Sequence, residues 1–167
     1  MTDVTISSLT SPEDALAFRR INEGWISRLF TLTEEDRRVL EQPVEHIIRP
    51  GGDMLLARSE GTCEIVGCVA LLPYGDGVFE LAKMAVVPSS QGAGLGHRLV
   101  ASALTRASEL SGCRVFLGTS THLPSAVHIY EVAGFQRIPR TELPVENYYA
   151  RADTLMEIRI PPSTVRK

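Results

Sequence analysis

Residues 89–100 read SSQGAGLGHRLV and place Gly92, Gly94 and Gly96 at alternate positions directly before an apolar helical pattern. Glycine loses much backbone entropy in an ordered segment. Three glycines at alternate positions therefore indicate that this segment needs a backbone without side chains. A buried-type strand, residues 78–87, precedes the glycines. A strand, a glycine-rich turn and a helix N-terminus together favour an anion, because the first helical amides lack partners. The simpler interpretation is a tight turn that only starts a helix.

Two widespread phosphate-binding patterns do not fit this stretch. In the dinucleotide fingerprint G-x-G-x-x-G the third glycine would fall at His97, and no acidic residue lies about 20 positions further along. The P-loop pattern G-x-x-x-x-G-K-[ST] is absent from the chain. The remaining pattern is Q-x-x-G-x-G, formed by Gln91, Gly94 and Gly96.

The periodicity of apolar residues around this stretch predicts a mixed α/β fold. The predicted strands are residues 4–8, 54–58, 64–73, 78–87, 114–119 and 154–160. The predicted helices lie in residues 11–30, 33–43, 94–110 and 124–134. The order is β-α-α-β-β-β-α-β-α-β. Short turns join the middle strands and a long helix follows them, so we expect a mixed, mostly antiparallel central sheet flanked by helices.

Composition limits the class of protein. A chain of 167 residues fits a single domain, 1–167. Its net charge of −3 argues against nucleic-acid binding, which needs a basic face. The longest apolar run is too short to span a membrane, and the N-terminus lacks the pattern of a secretory signal. The three cysteines have no metal-type spacing, so we expect buried reduced thiols in a cytoplasmic protein that carries no metal.

The glycine stretch and its neighbours resemble a known family. FELAKMAVVPSSQGAGLGHRLV, followed by SAVHIYEVAGF, is similar to the GNAT superfamily of acetyl-CoA-dependent N-acetyltransferases, over roughly residues 78–135. The resemblance implies the GNAT fold and acetyl transfer from acetyl-CoA to a primary amine of a small molecule or peptide, by direct attack in a ternary complex. It implies no nucleic-acid or membrane partner and leaves a homodimer open. The alternative is a non-catalytic domain that binds acetyl-CoA as a sensor.

The resemblance also implies the residues that bind the cofactor. The amides of the glycine loop would bind the pyrophosphate of coenzyme A, and the preceding strand would bind its pantetheine arm. These residues are Met84, Ala85 and Val86 on the strand and Gln91, Gly92, Ala93, Gly94, Leu95, Gly96 and His97 in the loop. An amide near Met84 would stabilise the oxyanion. Many relatives carry Asn where Leu123 stands, so we expect Ser120 or Thr121 to replace that contact.

Two residues are the candidate catalytic groups. Glu80 lies on the strand that leads into the glycine loop, where some relatives carry a glutamate that acts as a base, usually through a water. An edge-strand carboxylate that faces solvent or pairs with Lys83 is the alternative. Tyr130, four residues before Gly134, occupies the position of the acid that protonates the departing thiolate. The alternative there is a core aromatic at helical spacing.

The acceptor site in this family is built from the N-terminal helices and the segment before the last strand. Those segments contain Trp25, Phe30, Tyr148 and Tyr149, which would form an aromatic wall. Glu34, Glu35 and Asp36 would make the pocket acidic and suited to a cationic amine, or would only cap a helix. His97, His122 and His128 would contact a phosphate or the acceptor, or lie exposed without a role.

Overall fold

The computed structural model describes residues 3–161, and seven strands in that part form one sheet. The strands are β1 Val4–Ser8, β2 Asp53–Ser59, β3 Ile65–Pro73, β4 Val78–Val86, β5 Arg114–Thr119, β6 Gln136–Arg137 and β7 Thr154–Arg159. The helices are α1 Pro12–Leu29, α2 Glu34–Glu41, α3 Leu95–Glu109 and α4 Pro124–Ala133. Short helical turns lie at Val44–Ile48, Pro88–Ser90 and Arg140–Glu142.

The sheet confirms the predicted α/β fold. Its strand order is β1-β2-β3-β4-β5-β7-β6, and every neighbouring pair is antiparallel except β4 and β5, which α3 connects in parallel. The sequence did not predict β6, because its two residues are too few to show an alternating pattern. In the described part of the chain, no helix combines the length and the apolar character that a bilayer crossing requires.

Helices cover both faces of the sheet. On one face, α3 buries Leu99, Ala103 and Ala107 completely, at the spacing that keeps them on one side of a helix. On the other face, α1 packs against β3 and β4 and buries Phe18 and Ile26 completely. Full burial of a large apolar side chain contributes about 1.5–3 kcal/mol, so both faces hold the central strands in place.

The cysteines correct one prediction. Cys68 on β3 is buried as expected, but Cys63 and Cys113 are exposed. Both exposed residues lie outside the strands: Cys63 has φ +61° between β2 and β3, and Cys113 directly precedes β5. Connecting segments run over the surface, and cysteine content alone carries no information about position in them.

β4 and β5 separate towards their C-terminal ends. They pair only where residues 78–80 of β4 lie beside residues 114–116 of β5. Against β3, Ala82 faces Ala70 and Ala85 faces Cys68, so β4 holds one extra residue, a bulge at which Lys83 has φ +54°. Bulges bend a strand and are frequent beside active sites. The bend and the separation leave a gap at the centre of the sheet, and the backbone of β4 beyond Glu80 has no partner on β5.

Candidate active site

A groove of about 950 Å³ runs from the end of β4 across the start of α3 and α4. Its wall contains all of the predicted cofactor-binding residues except Ala93, namely Met84, Ala85, Val86, Gln91, Gly92, Gly94, Leu95, Gly96 and His97. The structure therefore brings these residues to one surface.

The start of α3 presents unpaired amides to this groove. The first amide of the helix with a partner is that of Arg98, which donates to the carbonyl of Gly94 at 3.2 Å, and no amide of residues 92–97 donates to another described residue. Gly92 and Gly94 have φ of +85° and +80°, a region that side chains disfavour, and a Cβ on either would project into open space. This bare, positive helix terminus suits an anion.

Gly96 has a different structural role from Gly92 and Gly94. A Cβ on Gly96 would lie 2.8 Å from Cδ1 of Ile129, so glycine here allows α3 and α4 to approach each other. Gln91 fixes the loop from the other side, because its Nε2 donates to the carbonyl of Val86 at 3.0 Å. The loop is thus held against both β4 and α4.

Four basic or ionisable side chains line the same groove. They are Arg28, His97, His122 and His128. The rings of His97 and His128 meet edge to face, with centroids 6.3 Å apart. His122 and His128 therefore belong to the groove of the glycine loop. Arg28 was not singled out from the sequence, since nothing local marks an arginine of α1 as a neighbour of α3.

A smaller cavity of about 100 Å³ fills the gap between β4 and β5. It shares Trp25, Met84 and Leu123 with the wall of the groove, so the two spaces adjoin. Glu80 and Tyr130 both line this cavity. The structure thus brings the two candidate catalytic residues, 50 positions apart in the chain numbering, to one space.

Glu80 is a buried carboxylate between two phenols. It is 3% exposed, its Oε1 accepts a hydrogen bond from the hydroxyl of Tyr74 at 3.0 Å, and its Oε2 accepts one from Tyr148 at 2.5 Å. Burial raises the pKa of Glu80, although both phenols and the charge of Lys83 oppose this shift. β4 is central in the sheet, which rules out the solvent-facing edge carboxylate. A carboxyl with a raised pKa in a cavity is a candidate proton acceptor.

Tyr130 is both a core aromatic and a residue of the cavity wall. Its ring meets Phe135 edge to face at 5.8 Å and belongs to the core beside α3. It also lines the cavity. Burial raises the pKa of Tyr130, so its phenol carries a proton at neutral pH, as an acid must.

Tyr148 owes its place to a glycine on β5. A Cβ on Gly118 would overlap the ring of Tyr148, so only glycine lets this ring lie against the strand. Phe116 meets the same ring edge to face, with centroids 6.1 Å apart. The sequence marks Tyr148 as part of an aromatic wall but not as a partner of Glu80, which lies 68 residues away along the chain.

Asp36 joins two cations beneath the aromatic wall. Its Oδ1 accepts from Lys83 Nζ at 2.5 Å, and its two oxygens accept from Arg151 at 2.7 Å each. Burial opposes ionisation of Asp36, but the hydrogen bonds of Arg151 and the charge of Lys83 prevail and hold its pKa well below the usual range. Arg151 also lies over the ring of Tyr149, 4.6 Å from its centroid.

This arrangement corrects the expected acidic pocket. Thr33 and Asp36 form a capping box at the start of α2, which confirms the capping interpretation. Glu34 and Glu35 are exposed, and Asp36 is completely buried. Lys83 pairs with Asp36 and not with Glu80.

The two residues expected to replace the Asn contact at Leu123 lie in different surroundings. Ser120 is buried and lines the cavity. Thr121 is exposed and turned elsewhere, because its amide and hydroxyl both donate to the carboxylate of Asp153, at 2.9 and 2.8 Å. Of the two residues expected to replace the missing Asn, only Ser120 is placed beside the cavity.

Comparison with known proteins finds relatives that match most of the chain. The model of the acetyltransferase (GNAT) family matches residues 18–135. An uncharacterized N-acetyltransferase of Schizosaccharomyces pombe is 31% identical over 139 residues, which cover 80% of this chain and 83% of the relative. A GNAT acetyltransferase of Staphylococcus aureus has a similar fold, with a TM-score of 0.84 at 19% identity, over 94% of this chain and 99% of the other.

A third relative was solved with acetyl-CoA bound. This phosphinothricin acetyltransferase of Sinorhizobium meliloti has a TM-score of 0.72 at 16% identity, over all of this chain and 93% of the other. The resemblance seen in the sequence is confirmed. The family match spans more than half of the chain, and the fungal relative covers most of it, so the chain belongs to the acetyltransferase (GNAT) family and is an acyltransferase.

Proposed function

We propose that the protein transfers the acetyl group of acetyl-CoA to a primary amine by direct attack within a ternary complex. The observation that carries this proposal is the meeting of Glu80 and Tyr130 in one cavity that adjoins the groove of the glycine loop. The bound acetyl-CoA of the Sinorhizobium meliloti relative supports the choice of acetyl donor.

The groove has the chemistry that coenzyme A needs. The unpaired amides between Gln91 and His97 would hold the pyrophosphate. Residues 84–86, which have no partner on β5, would bond the pantetheine arm, and an amide of the β4 bulge near Met84 would stabilise the oxyanion. Arg28 would add positive charge around the phosphates, and the three histidines would add hydrogen-bonding groups.

The cavity supplies the two proton transfers. An alkyl amine has a pKa of about 10 and is charged at neutral pH, so it must lose a proton before it can attack. Glu80 takes that proton. Tyr130 gives a proton to the departing sulfur, which would otherwise leave as a thiolate.

Removal of the Tyr130 hydroxyl tests the acid. Tyr130→Phe should lower kcat about 10-fold and leave the affinity for acetyl-CoA unchanged, because only the departing thiolate needs the hydroxyl. The ring contact with Phe135 persists, so the melting temperature should stay the same or rise. Steady-state kinetics and thermal unfolding measure the two effects. A wild-type kcat in the variant, under conditions where chemistry limits turnover, would assign Tyr130 to core packing alone.

We also propose that the acceptor is a small amine that carries a carboxylate, such as a free amino acid. Lys83 and Arg151 share the single carboxylate of Asp36, so this side of the cavity keeps an excess positive charge. Glu35 also acts on Glu80, but it is exposed and lies 3.4 Å from Arg38, so solvent and this arginine weaken its effect. The cavity thus offers a proton acceptor at Glu80 and a cationic region at Lys83, complementary to an ammonium and a carboxylate.

Matched acceptors test this substrate class without altering the protein. An amino acid should be acetylated with a kcat/KM about 10- to 10²-fold above that of its carboxamide, since the amide loses a charge-assisted contact. A thiol-release assay with acetyl-CoA measures both compounds, with a polyamine as a third acceptor. Equal rates for acid and amide, or a preference for the polyamine, would contradict the carboxylate. Absence of thiol release with every amine would favour the sensor alternative.

A further inference from the structure

Both carboxylate oxygens of Glu80 already accept a hydrogen bond from a phenol. One oxygen accepts from Tyr74 and the other from Tyr148, and the side chain is almost completely buried. The Tyr148 hydroxyl occupies one hydrogen-bonding site of Oε2, and Tyr148 also lines the cavity. That ring is held between Phe116, Tyr149 and the backbone of Gly118. A phenol fixed by its neighbours is therefore hydrogen-bonded to the base and borders the cavity at the same time.

Only one of the two phenols that donate to Glu80 also lines the cavity. Tyr148 lines the cavity, whereas Tyr74 is absent from its wall and reaches Glu80 from the turn between β3 and β4. A hydroxyl that donates to the base and also borders the acceptor space can pass a proton between them. We propose, on the basis of the proposed function, that the Tyr148 hydroxyl relays the proton of the acceptor amine to Glu80. It takes the place of the water that the family resemblance implies.

The transfer balances without any further reactant. The N–H bond of the ammonium breaks as an O–H bond forms on the Tyr148 oxygen. The original O–H bond of Tyr148 breaks as its proton bonds to Oε2 of Glu80. Tyr148 ends neutral with a new proton, Glu80 ends protonated, and the amine ends neutral with its lone pair available. Glu80 later returns the proton to solvent.

The environment favours a concerted transfer. Burial raises the pKa of Tyr148 well above its usual value, so a free tyrosinate is costly and the two proton movements must be coupled. Burial also raises the pKa of Glu80, which makes its carboxylate a better final acceptor than an exposed one. Lys83, Glu35 and the tyrosines are the other titratable groups that act on this carboxyl.

Tyr148→Phe and Tyr74→Phe form a matched pair. Each deletes one hydroxyl that donates to the same carboxylate, and each keeps its ring. Both hydroxyls lower the pKa of Glu80, so both variants should move the acid limb of the kcat/KM profile to higher pH. Only Tyr148→Phe should also lower the high-pH plateau, by about 10- to 30-fold, against less than about 3-fold for Tyr74→Phe.

A double variant gives the second measurement. If Tyr148 and Glu80 act as one unit, Glu80→Gln with Tyr148→Phe should be no slower than Glu80→Gln alone. Thermal unfolding checks that each variant folds. Equal plateaus for the two phenylalanine variants, or multiplicative losses in the double variant, would overturn the relay while Glu80 kept its role. An inactive wild-type enzyme, or a Glu80→Gln variant as fast as the wild type, would overturn the proposed function and the relay together.

Discussion

Glu80→Gln is expected to lower kcat about 10²- to 10³-fold at neutral pH, the scale of a lost general base. The amide has the shape of the carboxylate and keeps hydrogen-bonding partners in Tyr74 and Tyr148, but it cannot accept the proton of the amine. The deficit should shrink as the pH approaches the pKa of the acceptor amine, where free amine no longer requires a base. Stopped-flow or steady-state kinetics across this pH range measure the effect.

The stability of the same variant provides its control. The pKa of Glu80 is raised in the folded protein, so its protonated form stabilises the fold. This contribution to the free energy of unfolding is lost as the pH rises from the ordinary glutamate pKa through the raised value. Glutamine carries no charge to bury, so the variant should melt at the same or a higher temperature above that window. A large activity loss with unchanged stability assigns Glu80 to chemistry. Wild-type turnover at neutral pH would leave it a structural residue.

Gly94→Val is expected to weaken binding of coenzyme A by at least about 10²-fold. The valine side chain would project from the loop into the groove, where we propose that the pyrophosphate meets the unpaired amides. Valine at φ +80° also strains the backbone by about 1–3 kcal/mol, so a lower melting temperature is expected. Calorimetric titration with coenzyme A and thermal unfolding separate the two effects.

Gly75→Val is the matched control for this variant. Gly75 has φ +83° and equally open space for a Cβ, but it lies in the turn between β3 and β4, outside the wall of the groove. It should lose similar stability and keep its affinity for coenzyme A. Unchanged affinity in a folded Gly94→Val variant, or equal losses in both variants, would refute binding at the glycine loop.

The sequence predicted most of the fold because its signals are local. The apolar period of α3, the proline at the start of α1 and the glycine that ends α4 each mark an element within a few residues. The family resemblance could place the proposed cofactor-binding residues together, since they lie close in the chain between Met84 and His97. The two-residue β6 carried no such signal.

The acceptor side of the site was not predictable in the same way. Asp36 lies 47 residues from Lys83 and 115 residues from Arg151, and neither pair leaves a local pattern. Glu80 and Lys83 do stand out as charged residues within the apolar strand β4, which indicates that each needs a partner. Only the folded sheet identifies those partners as phenols for Glu80 and a carboxylate for Lys83.

The carboxylate of Asp36, which Lys83 and Arg151 share, limits which substitutions can change the acceptor specificity. Its ion pairs join α2 to β4 and to the segment before β7, so they stabilise the fold and also set the charge of the pocket. Its removal would leave two cations without a counter-ion, at a cost of about 3–5 kcal/mol for a buried pair. Substitutions at Trp25 and Phe30 are therefore better tolerated, because they change the shape of the pocket and leave the contacts of Asp36 intact.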